Sequence, residues 1–276
     1  MAGTLLLVGT PIGNLGDISE RARQALARAD IIACEDTRRT RALLTHLEIR
    51  RPRLVTFFEG NERRRIPEVL KLLREGSDVA LVSDAGNPGI SDPGYLLVAA
   101  CLEEGLPVDA IPGPSAVITA LMLSGLPTDK FAFEGFLPRT SGARLKRLAE
   151  LAADPRTVVV YESPRRVAHL LKDALDALGD RRAALARELT KVHQEVIRGR
   201  LSDLSNRVED IRGEVVVVVE GASRAPAADI EALAARVEEL HAEGLSRSAA
   251  AAEVARESGV SKRALYARSL RLMEKW

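Results

Sequence analysis

The sequence is poor in several residue types, and each shortage excludes a class of protein. Aromatic residues make up only 3% of the 276 positions, so the core has to be built from Leu, Val, Ile and Ala. The two cysteines, Cys34 and Cys101, lie in apolar stretches without metal-ligand spacing, so we expect two buried free thiols. Four scattered histidines form no zinc motif, and we expect no bound metal.

Long apolar runs and a large net charge are also missing. No run approaches the length of a membrane span, and the apolar run at 4–8 is too short for a signal peptide and lacks a basic start. We therefore expect a cytoplasmic protein with no membrane partner. The formal net charge of +1 indicates no global field for nucleic acid, so basic clusters have to be judged one by one. The chain has no G-x-x-x-x-G-K-[ST] motif for a P-loop hydrolase and no G-x-G-x-x-G in its first loop for a dinucleotide.

The first 113 residues alternate short apolar runs with helical spacing. The pattern predicts strands over 4–8, 31–34, 54–57, 79–83 and 108–111, with helices over 18–29, 40–47, 66–74 and 94–104. Such alternation is typical of a mostly parallel sheet, which binds ligands outside the carboxyl ends of its strands.

The pattern changes after residue 113. We predict strands over 130–135, 157–162, 183–188, 193–198 and 214–220 and helices over 144–152 and 164–178, with an antiparallel hairpin at 183–198. A loose linker at 222–228 precedes a helical tail, in which 248–270 has helix-turn-helix spacing. The predicted domains are an N-terminal α/β domain at 1–113, a second α/β domain at 114–224 and a helical domain at 225–276.

Three loops rich in glycine and proline follow predicted strands. They are VGTPIGN at 8–14, SDAGNPGISDPG at 83–94 and PGPSA at 112–116, and glycine lets such backbone approach a ligand closely. We therefore predict a cofactor site. Asp84 either closes its own turn or recognises a cofactor amine or ribose. Ser115 is a helix N-cap, and the same helix start offers free N–H groups to an acidic ligand group.

Charged runs also follow predicted strands. ACEDTRRTR at 33–41 and EGNERRR at 59–65, with Arg50, Arg51 and Arg53, form arginine clusters suited to phosphate. The basic helix predicted at 261–271 either contacts nucleic acid or has a solvated face. In RELTK at 187–191, Glu188 and Lys191 either handle a proton or form an ion pair.

The residues together resemble the tetrapyrrole-methylase-like (class III) S-adenosylmethionine methyltransferases, and within them the ribosomal RNA small subunit methyltransferase I family. Besides the two loops at 83–94 and 112–116, the resemblance rests on TPIGNLGDI at 10–18, EDTR at 35–38, SGLPT at 124–128, FEGFLP at 133–138, YESPR at 161–165 and RELTK at 187–191. Asn87 and Gly89 depart from the family pattern, which has Thr and a larger apolar residue there.

The resemblance implies two α/β domains of tetrapyrrole-methylase type with the cofactor cleft between them, followed by a small all-α domain. It implies 2′-O-methylation of a cytidine in the decoding centre of 16S ribosomal RNA, with S-adenosylmethionine as cofactor, and a homodimer. The implied cofactor-binding residues are Pro11, Asp84, Gly86, Ile90, Ser115, Ala116, Tyr161, Glu162, Leu189 and Val218.

Proton transfer and RNA binding complete the predicted site. Because Glu188, Lys191 and Glu35 lie at or just after the ends of predicted strands, we predict that one of them assists removal of the hydroxyl proton. The predicted RNA-binding residues are Arg38, Arg39, Arg63, Arg64, Lys262 and Arg263.

Two alternatives stay open. A tetrapyrrole methyltransferase would use the same cofactor loops but leaves the basic tail and the arginine clusters unexplained. A non-enzymatic regulator with a DNA-binding tail is supported only by the basic helix of that tail.

Overall fold

The computed structural model describes residues 1–50, 53–208, 211–222, 230–258 and 261–273. Their contacts divide the chain into two compact units, Met1–Gly221 and Ala222–Trp276. The predicted linker at 222–228 beyond Ala222, together with Arg51 and Gly259, lies outside the described residues. The domain boundaries predicted after residues 113 and 224 stay predictions.

The first sheet contains five parallel strands, as predicted. Its order is β3-β2-β4-β1-β5, with strands β1 Leu5–Val8, β2 Ile31–Cys34, β3 Arg53–Thr56, β4 Val79–Val82 and β5 Val108–Ile111. The helices between the strands are α1 Glu20–Arg28, α2 Thr37–His46, α3 Glu62–Arg74 and α4 Tyr95–Glu103. Side chains of α1 and α2 pack in one apolar core and those of α3 and α4 in another, so both faces of the sheet are covered. Cys34 and Cys101 are buried free thiols, which confirms the prediction.

Two helices of the first sheet begin earlier than apolar spacing predicts. Helix α2 starts at Thr37 because the Asp36 side chain accepts a hydrogen bond from the N–H of Arg38 at 2.8 Å. Helix α3 starts at Glu62, whereas the apolar spacing predicts a start at Ile66. The spacing misses the first turn of this helix, because that turn is a run of charged residues without apolar periodicity. Both early starts place arginines in the first turn of a helix.

The second sheet is mixed. Its order is β6-β7-β10-β8-β9, with strands β6 Phe131–Phe136, β7 Thr157–Glu162, β8 Arg182–Arg187, β9 Glu195–Arg200 and β10 Val215–Val219. Strands β6 and β7 are parallel, and the predicted hairpin is the antiparallel pair β8 and β9. Helices α5 Ala116–Ser124, α6 Ser141–Leu151, α7 Val167–Leu178 and α8 Leu201–Arg207 accompany this sheet, and α8 was not predicted. Helix α5 packs on one face, and α6, α7 and α8 pack on the other.

The second unit consists of helices in its described residues. They are α9 Ile230–Ala242, α10 Arg247–Ser258 and α11 Lys262–Met273. Val237, Ala250, Val254 and Leu265 form its buried core, so all three helices contribute to one small apolar centre. Within the part of the chain that the structure describes, no helix is both long and apolar enough to cross a membrane.

Candidate functional site

The three glycine-rich loops meet because the strands that they follow are neighbours. Strands β4, β1 and β5 lie side by side and parallel, so their carboxyl ends share one edge. Thr10 and Gly86 exchange backbone hydrogen bonds of 2.8 and 3.1 Å between the first two loops. A Cβ added at Gly9 would lie 2.5 Å from the Cα of Gly113, so only glycine permits this approach of the first and third loops.

Asn87, one of the two departures from the family pattern, connects the second and third loops. Its Oδ1 accepts a hydrogen bond from the N–H of Gly113 at 3.1 Å, and its Nδ2 donates to the carbonyl of Pro114 at 3.1 Å. The amide therefore holds together two walls of the cavity described next.

A cavity of about 380 Å³ lies between the loops of the first sheet and strands β7 and β10 of the second. Six of the ten predicted cofactor-binding residues line it: Gly86, Ile90, Ser115, Ala116, Tyr161 and Glu162. The remaining lining residues are Ile12, Ala85, Asn87, Ser91, Asp92, Phe136, Ser163, Pro164, Gly213, Glu214, Val215 and Val216. The Ser115 hydroxyl also accepts a bond from the N–H of Ile118 at 3.4 Å, which confirms the N-cap.

The other four predicted cofactor-binding residues lie elsewhere. Pro11 and Asp84 line a second cavity of about 290 Å³, together with Thr10, which is bridged to Gly86 of the main cavity. Leu189 and Val218 are buried in the apolar core beneath α5 and line neither cavity.

Glu162 has a buried carboxylate oxygen to which no described residue donates a hydrogen bond. Its side chain is 0% exposed, and its Oε1 accepts from the N–H of Ser163 at 2.7 Å and from Arg166 Nε at 2.8 Å. Its Oε2 has no hydrogen-bond partner among the described residues. An unpaired buried oxygen is costly, so its presence on the cavity indicates a ligand with a hydrogen-bond donor.

Asp92 is a second carboxylate on this cavity, and it is not among the residues predicted from the sequence. The pKa of Asp92 is raised to about 7, mainly by burial and secondly by the charge of Glu35. A hydrogen bond with the Ser83 side chain opposes this shift. The available signal was its place in the loop at 83–94, but that loop contains a second aspartate, Asp84, which directly follows the strand.

Glu35 and Asp84 connect the ends of neighbouring strands. The Glu35 Oε1 accepts from the N–H of Asp84 at 3.1 Å, and the Asp84 Oδ1 accepts from the N–H of Asp36 at 3.1 Å. Burial is the main reason why the pKa of Glu35 is raised. Glu35 lines neither cavity. It acts on the main cavity through its hydrogen bond with Asp84 and through its charge, which raises the pKa of Asp92.

Glu188 and Lys191 form the ion pair that was one of their two interpretations. The Lys191 Nζ lies 3.0 Å from Glu188 Oε1 and 3.2 Å from Glu214 Oε2. The bond from Lys191 lowers the pKa of Glu188; for Lys191, burial opposes the charge but the bonds to both glutamates outweigh it and raise the pKa. Neither residue lines the cavity, although Glu214 does. A Cβ at Gly13 would lie 2.5 Å from Lys191 Cγ, so the lysine stem packs on the first glycine loop.

The predicted RNA-binding arginines are exposed at the carboxyl edge of the first sheet. Arg38 and Arg39 lie in the first turn of α2, after β2, and Arg63 and Arg64 lie in the first turn of α3, after the neighbouring strand β3. A cation at a helix N-terminus opposes the helix dipole, so these positions do not serve helix stability. Arg38 pairs with Asp36 at 2.7 Å.

Two predicted RNA-binding residues belong to the second unit. Lys262 and Arg263 are exposed in the first turn of α11. In the described residues, no group of three or more His, Cys, Asp or Glu side chains is arranged to hold a metal ion.

Comparison with known proteins identifies the family. Residues 4–205 match the Tetrapyrrole (Corrin/Porphyrin) Methylases, and residues 227–273 match the RsmI C-terminal HTH domain. Ribosomal RNA small subunit methyltransferase I of Mycobacterium bovis is 51% identical over 269 residues, which cover 96% of this chain and 94% of that protein. The chain belongs to the ribosomal RNA small subunit methyltransferase I family. The Thermotoga maritima member of this family is 50% identical over 221 residues, covering 79% of this chain and 99% of that protein.

A solved structure supports the fold of the family in this chain. Uroporphyrin-III C-methyl transferase from Thermus thermophilus, complexed with S-adenyl homocysteine, aligns with a TM-score of 0.56 at 20% identity, covering 79% of this chain and 97% of that chain. The predicted fold class and the predicted methyltransferase family are therefore confirmed. The chain is an S-adenosylmethionine-dependent methyltransferase.

Proposed function

We propose that this chain transfers a methyl group from S-adenosylmethionine to the ribose 2′-hydroxyl of a cytidine in the decoding centre of 16S ribosomal RNA. The observation that carries the proposal is the 51% identity, over nearly the whole chain, to a protein named Ribosomal RNA small subunit methyltransferase I. The two connected α/β sheets and the helical second unit both fall within that match.

The main cavity fits the cofactor chemically. Its unpaired Glu162 Oε2 needs a donor, which an ammonium or ribose hydroxyl supplies, and its carboxylates favour a cation. Phe136 and Tyr161, with ring centroids 5.6 Å apart, provide aromatic surface for a purine. When bound, the cofactor supplies an electrophilic methyl group on a positively charged sulfur.

We assign cofactor contacts to the residues that line the cavity and indirect roles to the other predicted ones. Gly86, Ile90, Ser115, Ala116, Tyr161 and Glu162 would make direct contacts. Asp84 and Pro11 would hold the bridge between the cavities, while Leu189 and Val218 would support the wall formed by β7 and β10.

The three predicted catalytic residues would act around the cavity. Lys191 would position Glu214 and the first glycine loop, Glu188 would hold Lys191, and Glu35 would act through its neighbouring carboxylates. Replacing Glu35, Glu188 or Lys191 by alanine should lower the single-turnover rate more than the affinity for S-adenosylmethionine. Unchanged rates in all three variants would contradict the prediction.

RNA would bind at the exposed arginine edge. Arg38, Arg39, Arg63 and Arg64 would contact phosphates, while the shape of the folded RNA and an extruded nucleotide would give specificity. Lys262 and Arg263 of the second unit would add phosphate contacts. Since ribosomal RNA is the partner, we place the protein in the cytoplasm.

A homodimer is part of the proposal. Tyr95 and Met122 are each 73% exposed and Ile118 is 44% exposed, and a partner subunit that covered them would remove large apolar side chains from water. Light scattering of the purified chain should give twice the mass of 29.9 kDa. A monomer at micromolar concentration would contradict the dimer and leave the proposed activity intact.

The first experiment is methyl transfer from radiolabelled S-adenosylmethionine to small ribosomal subunits from a strain that lacks this gene. Label in a 2′-O-methylated cytidine is the expected result, and it would exclude the regulator. Cofactor binding without label in RNA would overturn the proposed substrate. A tetrapyrrole acceptor, favoured by the shared fold, is the matched comparison in that assay.

A further inference from the structure

The carboxylates on the main cavity differ in their partners. Glu162 is held by Arg166, whose guanidinium lies 2.5 Å from its Oε1, and Glu214 is paired with Lys191 and 67% exposed. Asp92 forms no ion pair among the described residues. It is therefore the lining carboxylate that is free to accept a proton.

The loop that carries Asp92 is tightly determined. Ser91 has φ 61°, a left-handed conformation that is rare outside glycine, and Gly94 has φ 140°. The N–H of Gly94 donates to the buried Glu62 Oε1 at 2.9 Å, and the N–H of Gly89 donates to the carbonyl of Pro93 at 3.2 Å. These contacts hold the Asp92 side chain against the cavity.

The groups that act on Asp92 directly are acidic or neutral, and a cation near them, Arg39, pairs with Asp84 at 3.5 Å. Glu35 comes from the loop after β2, Ser83 and Asp84 come from the end of β4, and Tyr161 comes from β7. Burial and the charge of Asp92 raise the pKa of Tyr161 to about 12, so this phenol stays neutral and supplies no counter-charge near pH 7. The buried Glu162 Oε2, which has no partner among the described residues, lines the same cavity and is a separate sign that this cavity holds a ligand.

We propose that Asp92 accepts the proton of the hydroxyl group that is methylated. Asp92 takes this proton while the hydroxyl oxygen forms its bond to the methyl carbon and the carbon–sulfur bond breaks with its electron pair on sulfur. The proton then passes to solvent. This assignment rests on the proposed function, because it needs a hydroxyl acceptor, and a pKa of about 7 suits a base that works near neutral pH.

The first test is the pH dependence of single-turnover methylation in the full chain. The wild-type rate should rise through about pH 7 and level off, and Asp92→Asn should be roughly 10²- to 10⁴-fold slower with no such rise. Asp92→Glu should recover part of the rate. The control is Asp176→Asn, which changes an exposed aspartate on α7 and should match the wild type. An Asp92→Asn variant with the wild-type rate and pH profile would overturn the assignment.

The neighbouring charge offers a positioning test. Glu35→Gln removes a negative charge close to Asp92, so the midpoint of the pH profile should move to lower pH. A midpoint that stays in place, while Asp92→Asn is inactive, would mean that Asp92 has a structural rather than a proton-accepting role.

A second measurement needs no activity. At about pH 7 roughly half of the Asp92 carboxyls carry a proton, and a cationic sulfonium nearby should release up to about half a proton per site. Calorimetry in buffers of different ionisation enthalpy should detect this release with S-adenosylmethionine but not with neutral S-adenosylhomocysteine. The release should vanish in Asp92→Asn, provided that variant still binds S-adenosylhomocysteine with wild-type affinity.

The outcomes separate the two proposals. Proton release that depends on Asp92, with no label in ribosomal RNA, would overturn the proposed substrate and not the environment of Asp92. Label in RNA with equal proton release in wild type and Asp92→Asn would overturn the assignment of Asp92 alone. Loss of cofactor binding in Asp92→Asn would reassign the carboxylate to binding.

Discussion

The arginines at the carboxyl edge of the first sheet predict how steeply RNA binding depends on salt. Arg38, Arg39, Arg63 and Arg64 are exposed there in the first turns of α2 and α3. Each phosphate neutralised contributes about −0.7 to −0.9 to the slope of log K against log salt concentration. Four such contacts contribute roughly −2.8 to −3.6, which is a loss of roughly 50- to 150-fold in affinity between about 50 and about 200 mM salt.

The perturbation is the double substitution Arg63→Gln and Arg64→Gln. It leaves two of the four contacts, so the slope should fall by about 1.4 to 1.8 and the salt-induced loss from these side chains to roughly 7- to 12-fold. The matched control is Arg28→Gln with Lys71→Gln, which removes the same charge from the last turns of α1 and α3, at the opposite edge of the sheet.

The assay is fluorescence anisotropy with a decoding-centre RNA over a series of salt concentrations. The control double variant should keep the wild-type slope, since the amino edge of the sheet is not expected to touch RNA. Equal slopes for wild type and Arg63→Gln with Arg64→Gln would refute the placement of RNA at this edge. Equal reductions in both double variants would mean that only the net charge matters.

Three further predictions concern stability and cavity shape. The Arg144 side chain is 4% exposed, and its guanidinium lies 2.6 Å from the Asp173 carboxylate. Asp173→Asn removes the counter-charge of this buried arginine, so it should lower the free energy of unfolding by about 3 to 5 kcal/mol in denaturant titrations, and a change near zero would contradict a buried pair. Gly9→Ala should weaken binding of S-adenosylhomocysteine in calorimetry, because the added Cβ would push the first glycine loop away from Gly113 in the third. Wild-type affinity would show that binding tolerates the separation of these two loops. Glu188 has a lowered pKa, so its ionised form stabilises the fold above the ordinary pKa of 4.5, and this stabilisation is lost as the pH falls below that value. Glu188→Gln should therefore make Tm depend less steeply on pH in the acid range, and an unchanged dependence would count against the ion pair.

Much of the fold could be predicted from local patterns. Val215–Val219 is a run of five valines, and such a run is a strand because β-branched residues suit extended backbone and the strand is buried on both faces. Helix starts were predicted less well, since the first turn of α3 consists of charged residues that carry no apolar period. Helix α8 was missed because its seven residues are too few for a clear period.

The candidate site was predicted in part. Ser115 was singled out from its loop, because loops rich in glycine signal backbone that approaches a ligand, while Gly86 and Ile90 came from the family resemblance; all three line the cavity. Asp84 lines the second cavity instead, together with Thr10, and Thr10 is bridged to Gly86, a contact between residues far apart in the chain.

The sequence by itself determined the secondary structure of most elements, the three glycine loops and the family, because these depend on neighbouring residues and on motifs in order. Only the tertiary structure decided the strand order and the pairing of Lys191 with Glu188 and Glu214. It also decided which carboxylate on the cavity forms no ion pair with any described residue, namely Asp92. The physical reason is that charge, burial and hydrogen bonding act through space, and the partners of these groups come from distant parts of the chain.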